Sequence, residues 1–272
     1  MSIRSPYAAT LLLAVALAAG ALGRPASAQD MLQFLDLKSD EFTKAEMTRA
    51  DIEVLLAKAT SGETIDLSAR RLNGLDLSGL DLRRVKLQSA RINKANLKGA
   101  NLDGVVLDQA WGLDADLSGA SLKGASLFAT QLMGARMEGA DFTGARIAAD
   151  MSRANLTGAR FDNADLSADM KNQSMGLMRG VLKSANLESA SFAGANLARV
   201  VLEYATLKDA SLRGANLAGA ELGGADLTGA DVTSADFAAA DVNSARLQRL
   251  KGRSQALNLD KAINLDRAQH DQ

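Results

Sequence analysis

Residues 205–229 read ATLKD ASLRG ANLAG AELGG ADLTG, and these five-residue units decide the fold. From Leu182 to Leu247 an apolar residue recurs at every fifth position, and a small residue, usually alanine, stands two positions before it. Self-similarity at a fixed period is the signature of a repeat architecture, in which each unit packs on its neighbours. The sequence therefore predicts one elongated body.

The spacing also indicates the local backbone. A period of five fits neither the 3.6-residue period of a helix nor the two-residue alternation of a long strand. It fits a short extended piece, a turn, and a repeat of both. Because side chains on extended backbone alternate, the central apolar residue and the small residue two before it both point inward. The residue between them points outward and is polar, as in Asp76 and Asn96. Glycine often follows two after the centre, where it tolerates the angles of a tight turn.

Composition restricts the function mainly by exclusion. The net charge is −1, so the chain lacks the basic excess of proteins that neutralise phosphates, and no nucleic-acid partner is expected. There is no cysteine, which excludes disulfides, thiolate metal sites and a cysteine nucleophile. The sequence has no phosphate-binding loop in a strand–helix context and no histidine within the repeat. We therefore expect no enzyme activity, no cofactor and no metal.

Residues 1–28 are predicted to be a signal peptide. Arg4 gives a positive start, residues 8–22 are almost wholly apolar, and Ala26-Ser27-Ala28 has the small-x-small cleavage pattern. The apolar run is about 15 residues, short of the roughly 20 that span a bilayer, so an uncleaved anchor is the less favoured alternative. We expect a mature protein that begins at Gln29, has no membrane span, and is periplasmic or secreted if the source is bacterial.

Residues 29–64 lack the five-residue period and are predicted to be an N-terminal helical cap. Thr48 and Asp51 have the spacing of a capping box, and apolar residues then recur at helical spacing, which predicts a helix over 48–60. The upstream piece, 31–42, fits a second short helix or an extended strand. The end of a solenoid exposes unpaired backbone and core side chains, so it needs a cover.

The repeat units carry a family resemblance. The segments ANLKG at 95–99, ADLSG at 115–119 and ADLTG at 225–229 resemble the A(D/N)LxX unit of the pentapeptide repeat family. The resemblance covers 65–249 and implies a right-handed quadrilateral β-helix with four pentapeptides per coil. It would have about nine coils and a length of roughly 45 Å at one strand spacing per coil.

Both ends of the repeat depart from the pattern. At the start, alanine is replaced by larger residues, which predicts a wider or irregular first coil; these residues are Arg70, Leu75, Leu80 and Val85. At the other end, 250–272 leaves the period and is predicted to be a C-terminal cap with one or two short turns. The only histidine, His270, is expected in a disordered tail.

Three interruptions of the period are places where a function can be added. At the first, Gly112 replaces a central apolar residue beside Trp111, which is predicted to anchor a partner or to fold over the gap. At the second, one residue is missing between Ile147 and Met151. At the third, an insertion between Leu166 and Leu182 restores the phase, so the later faces should align with the earlier ones. Its methionines form a partner-contact patch or fill an irregular core; they are Met170, Met175 and Met178.

Five acidic residues occupy successive outward positions late in the repeat. They are Glu221, Asp226, Asp231, Asp236 and Asp241. They would form an acidic belt that faces a basic partner or a divalent cation, or they are an ordinary solvated surface. Because successive positions lie on different faces of a square rod, a shared ion is disfavoured.

The sequence leaves three functions open. The favoured one is a non-catalytic exported protein that binds an unknown protein partner or acts as a scaffold of the bacterial envelope, with an oligomeric state that the sequence does not give. Some members of the family resemble DNA in size and charge and bind DNA gyrase, which makes a DNA mimic the first alternative, although that role needs the cytoplasm and a strongly acidic surface. A surface enzyme acting on glycans with Glu221 and Asp226 is the second.

Overall fold

The computed structural model describes residues 35–60, 62–170 and 178–271. The chain divides into two units, Met1–Leu37 and Lys38–Gln272. Of the first unit only residues 35–37 are described, where the Leu37 N–H donates to the Leu35 carbonyl at 3.0 Å. The predicted signal peptide lies outside the described residues. The second unit holds all the elements described below.

The second unit is a coil whose successive turns pair as parallel β-structure. Asp76 pairs with Asn96, Asn96 with Asp116, and this 20-residue spacing recurs along most of the repeat. Pairs occur every five residues, so each coil has four sides built from four pentapeptides. One column of pairs runs through ten residues from Asp76 to Gln269. The 20-residue pairing agrees with the four pentapeptides per coil that the family resemblance implied.

Among the residues that the structure describes, four stretches are long enough to count as strands. They are β1 (Ile65–Asp66), β2 (Val85–Lys86), β3 (Ser126–Gln131) and β4 (Arg146–Asp150). β1 pairs in parallel with β2, and β3 with β4. Elsewhere each side of the coil contributes a single bridge before the chain turns, because a five-residue unit has no room for a longer strand.

Each corner is a β-turn that the repeat specifies residue by residue. In the unit at 95–99, the Ala100 N–H donates to the Leu97 carbonyl at 3.0 Å, and Gly99 between them has φ +64°. A positive φ at the third residue defines a type II turn and explains the frequent glycine. The Asn96 side chain accepts a hydrogen bond from the Lys98 N–H at 3.1 Å. The outward Asp or Asn therefore stabilises its own turn.

The core is a stack of apolar side chains along the coil axis. Leu187, Leu207 and Leu227 are each 0% exposed, and the alanines two positions before them are also buried, which confirms the predicted inward assignment. Rings from three successive coils stack in one column: Phe142–Phe161 centroids are 4.8 Å apart and Phe161–Phe192 centroids 4.7 Å. These distances match the strand spacing of about 4.7–4.9 Å. In the part of the coil that the structure describes, the interior is therefore filled with apolar side chains.

Within residues 35–60, two helices precede the coil: α1 (Asp40–Thr43) and α2 (Arg49–Lys58). The predicted capping box is present at α2, where the Thr48 hydroxyl accepts from the Asp51 N–H and the Asp51 carboxylate accepts from the Thr48 N–H. Ile52 of α2 is 1% exposed and belongs to the core of the coil. Among the described residues, no helix is long and apolar enough to cross a membrane.

The first coil was predicted to be wider or irregular; its register is regular, so irregularity is wrong, and a wider coil stays a prediction. Arg71 pairs with Arg91 at the usual spacing of 20 residues. Leu75 and Leu80, in place of alanine, are half-buried against the core, whereas Val85 is buried and Arg70 is exposed. The backbone pairing sets the register, so a larger corner residue does not shift it.

The missing residue and the insertion behave as the phase predicts. Gln131 pairs with Asp150, 19 residues on, and Asp150 pairs with Val181, 31 residues on. Val181 then pairs with Val201 at the regular 20. The same column therefore continues through both irregular coils, and the insertion leaves the stack of faces in line.

The C-terminal segment leaves the five-residue period, as predicted, but it continues the backbone pairing of the coil, which the sequence analysis did not predict. It forms a further coil, in which the spacing of paired residues grows from 20 to 23 along the pairs Asp231–Lys251, Asp236–Leu257, Asp241–Ile263 and Arg246–Gln269. The additional residues fall in three 3₁₀ turns at its corners: Arg253–Gln255, Leu259–Lys261 and Leu265–Arg267. Because these corner units are longer than five residues, the five-residue period does not indicate this coil.

Candidate functional site

Because the interior is filled, any binding site lies on the outer faces or at the ends of the coil. We name one side of the coil the Trp111 face, because its outward positions form the column of paired residues that contains Trp111. That column is Arg71, Arg91, Trp111, Gln131, Asp150, Val181, Val201, Glu221, Asp241 and Ile263. The other columns are dominated by Asp, Asn, Ser, Thr and basic residues. The Trp111 face is unusual because it carries aromatic and aliphatic side chains at outward positions.

Trp111 is half-buried and contacts another part of the chain. Its ring meets the ring of Phe42 from α1 edge-to-face, with centroids 5.3 Å apart and an interplanar angle of 75°. The Arg91 guanidinium lies 5.5 Å from the Phe42 centroid. The space at Gly112 is taken by neighbouring coils, since a Cβ there would lie 2.9 Å from Leu132 Cδ2 and 3.3 Å from Ile92 Cγ1. Side chains from the neighbouring coils, rather than Trp111, occupy the space beside Gly112.

Two buried asparagines hold the same N-terminal segment, and the sequence analysis missed them. The Asn73 amide donates to the carbonyls of Glu41 (3.0 Å) and Lys44 (3.1 Å), and the Asn93 amide donates to the side-chain oxygen of Asn73 at 3.0 Å. Asn73 and Asn93 are 4% and 5% exposed. Their signal in the sequence is position: both follow the central apolar residue instead of preceding it, 20 residues apart.

The contact between Phe42 and Trp111 gives a prediction with a direct optical readout. In Phe42→Ala the ring of Trp111 loses its cover. The fluorescence emission of Trp111 should therefore shift to longer wavelength, and its ring should become more accessible to quenching by iodide. Trp111 is the only tryptophan, so the signal is unambiguous. The stability should fall by only about 1 kcal/mol, as expected for one partly exposed aromatic pair. Phe42→Leu, which keeps an apolar side chain at this position, is the control. Unchanged emission in Phe42→Ala would contradict the contact between Phe42 and Trp111.

The predicted acidic belt consists of carboxylates that are bonded within the chain. Glu221 Oε1 lies 2.8 Å from Arg179 Nη1. Asp226 accepts from the Thr228 hydroxyl at 2.6 Å and lies 3.1 Å from Arg246 Nη1. The other three are bonded in the same way, in the pairs Asp231–Arg213, Asp236–Asn258 and Asp241–Asn264. As the square section predicts, successive members lie on different faces.

Hydrogen bonds of this kind also lower the pKa of the Asp carboxyl groups in these turns. Side-chain hydrogen bonds from Arg83 lower the pKa of Asp81 to about 2. At Asp226, burial raises the pKa, but hydrogen bonds from the Thr228 side chain and N–H together with Arg246 outweigh it, and the net pKa is lowered. The same balance lowers the pKa of Asp116, Asp141 and Asp231.

These shifts predict a loss of stability in acid. A carboxylate whose pKa is lower in the folded than in the unfolded chain contributes stability above its ordinary pKa, and that contribution disappears as the pH falls through its folded value. The free energy of unfolding should be nearly constant from pH 7 to 5 and fall between about pH 4 and 2. Urea titrations at several pH values measure it. Asp226→Asn, which keeps an acceptor oxygen for Thr228, should flatten part of the decline; a constant stability down to pH 2 would refute the assignment.

The methionines of the insertion are only partly described. Met170 is 46% exposed, Met178 is half-buried, and Met175 lies outside the described residues. The Asp169 N–H donates to the Met178 carbonyl at 3.0 Å, which brings the two described ends of the insertion together. A contact patch that includes all three methionines stays a prediction.

Catalytic and metal chemistry have few candidate groups here. Within 35–60, 62–170 and 178–271, no cluster of three His, Asp or Glu side chains is arranged to hold a metal ion. His270 is ordered by contacts, with Nδ1 3.1 Å from Arg253 Nη2 and Nε2 2.9 Å from the Leu265 carbonyl oxygen, which corrects the expectation of a disordered tail. Open hollows of about 360 and 700 Å³ lie at the N-terminal and C-terminal ends of the coil.

A four-sided coil of 20-residue turns with paired outward carboxylates defines a β-helical repeat protein. The chain matches eight copies of the family described as pentapeptide repeats, over residues 65–104, 114–147, 148–168, 181–217 and 210–249. It therefore belongs to the pentapeptide repeat family, as the sequence analysis predicted. By homology, that membership implies a right-handed quadrilateral β-helix.

Solved structures of pentapeptide repeat proteins are similar to the chain. HetL from the cyanobacterium Nostoc sp. strain PCC 7120, described as involved in heterocyst differentiation regulation, is 29% identical; the match covers 82% of this chain and 95% of HetL, with a TM-score of 0.44. QnrB1, a plasmid-mediated fluoroquinolone resistance protein, is 17% identical over 77% of this chain and 92% of its own, with a TM-score of 0.34. No curated protein matches the chain.

Proposed function

We propose that this protein is an exported, non-catalytic pentapeptide-repeat scaffold of the bacterial envelope that binds a protein partner through one outer face. The observation that carries the proposal is the solid coil: apolar side chains fill its axis, and its turns are held by hydrogen bonds that backbone N–H groups donate to the Asp and Asn side chains of the same turn. Such a body presents flat, fixed surfaces, and solenoids use extended surfaces of this kind for binding.

The distribution of charge supports a binding role over a catalytic one. Catalytic carboxylates work as convergent pairs with distinct environments. Here Glu221 and Asp226 lie in different columns of the coil, and each is paired with a cation of the same chain. The same pairing, with a net charge of −1, argues against a surface that imitates the phosphates of DNA.

Export is supported by the pattern of residues 1–28 and is tested by the N-terminus of the protein in its host. Fractionation followed by mass spectrometry should find the chain in the periplasm or medium, beginning at Gln29. Recovery from the cytoplasm with residues 1–28 attached would overturn the proposed location. Strong inhibition of DNA gyrase by the purified protein would favour the DNA-mimic alternative.

The binding role is tested face by face. Glu203, Lys208, Arg213 and Ala218 follow the central residue in four successive units of one coil, so each represents a different face. A photo-crosslinking residue placed at each in turn should give a discrete protein adduct from one face and little from the opposite face. Equal labelling of all four faces, or no adduct from any, would contradict a face-specific partner.

A further inference from the structure

One aromatic residue on the Trp111 face is largely exposed. Tyr204 is 64% exposed and has φ +58° at the third position of its turn. This left-handed region is disfavoured for a bulky side chain, and glycine takes the same position in the next unit of this face, at Gly224. Serine takes it one coil earlier, at Ser184. A tyrosine at this position places its ring on the outer surface.

The surroundings of Tyr204 fix its ring and leave an open notch beside it. A Cβ at Gly224 would lie 2.6 Å from Cδ1 and 2.7 Å from Cε1 of the ring, so this edge of the ring lies against bare backbone. The preceding residue, Gly223, stands where neighbouring coils carry Glu203 and Asn243. A Cβ at Gly223 would meet only the Asn243 carbonyl oxygen at 3.9 Å, so the missing side chain leaves free space.

Two ion pairs lie on the same face as this notch, and one of them contacts the Tyr204 ring. Lys183 Nζ lies 2.7 Å from Glu203 Oε2 and 5.9 Å from the centroid of Tyr204. Arg179 and Glu221 form a second pair at 2.8 Å on the same face. Side chains in these pairs remain 27–42% exposed and are therefore accessible to a ligand.

We propose that the notch between Tyr204 and Gly223 binds a β-1,4-linked pyranose glycan without cleaving it. Equatorial linkages give such a sugar a flat face of axial C–H groups, which packs on an aromatic ring, while its hydroxyls both donate to carboxylates and accept from ammonium and guanidinium groups. A protein ligand fits this notch less well. The side chains that dominate protein–protein binding lie in desolvated apolar centres, whereas here the ring is bordered by ion pairs and glycine backbone. This site goes beyond the proposed scaffold role and does not depend on it.

The test is calorimetric titration of the purified protein with three tetrasaccharides: β-1,4-linked N-acetylglucosamine, β-1,4-linked glucose and, as a control, α-1,4-linked glucose. We expect saturable binding of at least one β-1,4-linked probe with a Kd on the order of 1 mM or tighter, and weaker binding of the α-linked probe. Tyr204→Ser should weaken binding about tenfold or more, whereas Tyr204→Phe should change it by less than about threefold.

Two further variants separate binding from folding. Gly223→Gln fills the notch without a clash and should abolish binding while the melting temperature stays unchanged. Ser184→Ala, at the same turn position one coil earlier, should leave binding unchanged. Serine already occupies this turn position at Ser184, so Tyr204→Ser should fold normally. No saturable binding of either β-1,4-linked probe, or binding that Tyr204→Ser and Gly223→Gln leave intact, would overturn the proposal. Absence of sugar binding combined with protein crosslinks at Tyr204 would instead identify the notch as a protein contact.

Discussion

Leu217→Asp is expected to unfold the coils around it. Leu217 is 0% exposed and lies in the axial stack one coil after Leu197 and one coil before Phe237. The variant loses the burial of a leucine, about 1.5–3 kcal/mol, and places a carboxyl group among apolar side chains with no partner. A total loss above about 4 kcal/mol is expected. Thermal melting should show a large decrease in the transition temperature, and hydrogen exchange should accelerate most in the adjacent coils, because repeats are stabilised by their nearest neighbours.

The neighbouring residue supplies a matched control. Ala218 points outward at a position where other units carry aspartate, as at Asp103 and Asp162. Ala218→Asp should therefore change the stability by less than about 0.5 kcal/mol, and Leu217→Met by less than about 1.5 kcal/mol. If Leu217→Asp melts like Ala218→Asp, the inward assignment of the central residue is wrong.

Phe161→Ala is expected to give the second largest effect. Phe161 is the middle ring of the Phe142–Phe161–Phe192 stack and belongs to a coil between the missing residue and the insertion. Truncation leaves a cavity between two rings that are fixed by backbone pairing and are unable to close the gap. The expected loss is about 3–5 kcal/mol, the usual range for a buried phenylalanine.

Comparison with Phe161→Leu isolates the cavity. Leucine is the usual central residue of this coil, so this variant should recover most of the lost stability. Urea unfolding measures both variants, and Phe237→Ala serves as a reference because Phe237 is equally buried but has no aromatic neighbour in its column. Equal losses for Phe161→Ala and Phe161→Leu would show that stacking of the rings, rather than filled volume, is what matters.

Most of the coil was predictable from the sequence because its rules are local. A central apolar residue, a small corner residue and a turn glycine recur within five positions, and each follows from strand alternation or from the angles of a type II turn. The missing residue near Ile147 and the insertion before Leu182 were also predictable, because both change the spacing of the central apolar residues in the sequence. The same reasoning failed at 250–271, where corner units lengthen and the backbone pairing continues.

The candidate sites were less predictable because they depend on residues that are distant in sequence. Nothing near Trp111 indicates that Phe42, 69 positions earlier, covers it, nor that Asn73 and Asn93 bind the carbonyls of that segment. The acidic belt was predicted to face a partner or a cation, or to be a solvated surface, and the sequence did not show that each carboxylate has a partner about one or two coils away. The site proposed at Tyr204 depends on the stacking of coils, which places its ring beside Gly224 of the next coil.

The sequence by itself determined the repeat and the inward column, because a short period acts through neighbouring residues, and the four units per coil came from the family resemblance. It also carries the pattern that predicts export. Only the tertiary structure decided which outward groups remain accessible. The stacking of coils pairs carboxylates such as Glu221 and Asp226 with cations, whereas it leaves the ring of Tyr204 exposed and free space beside the half-buried Gly223.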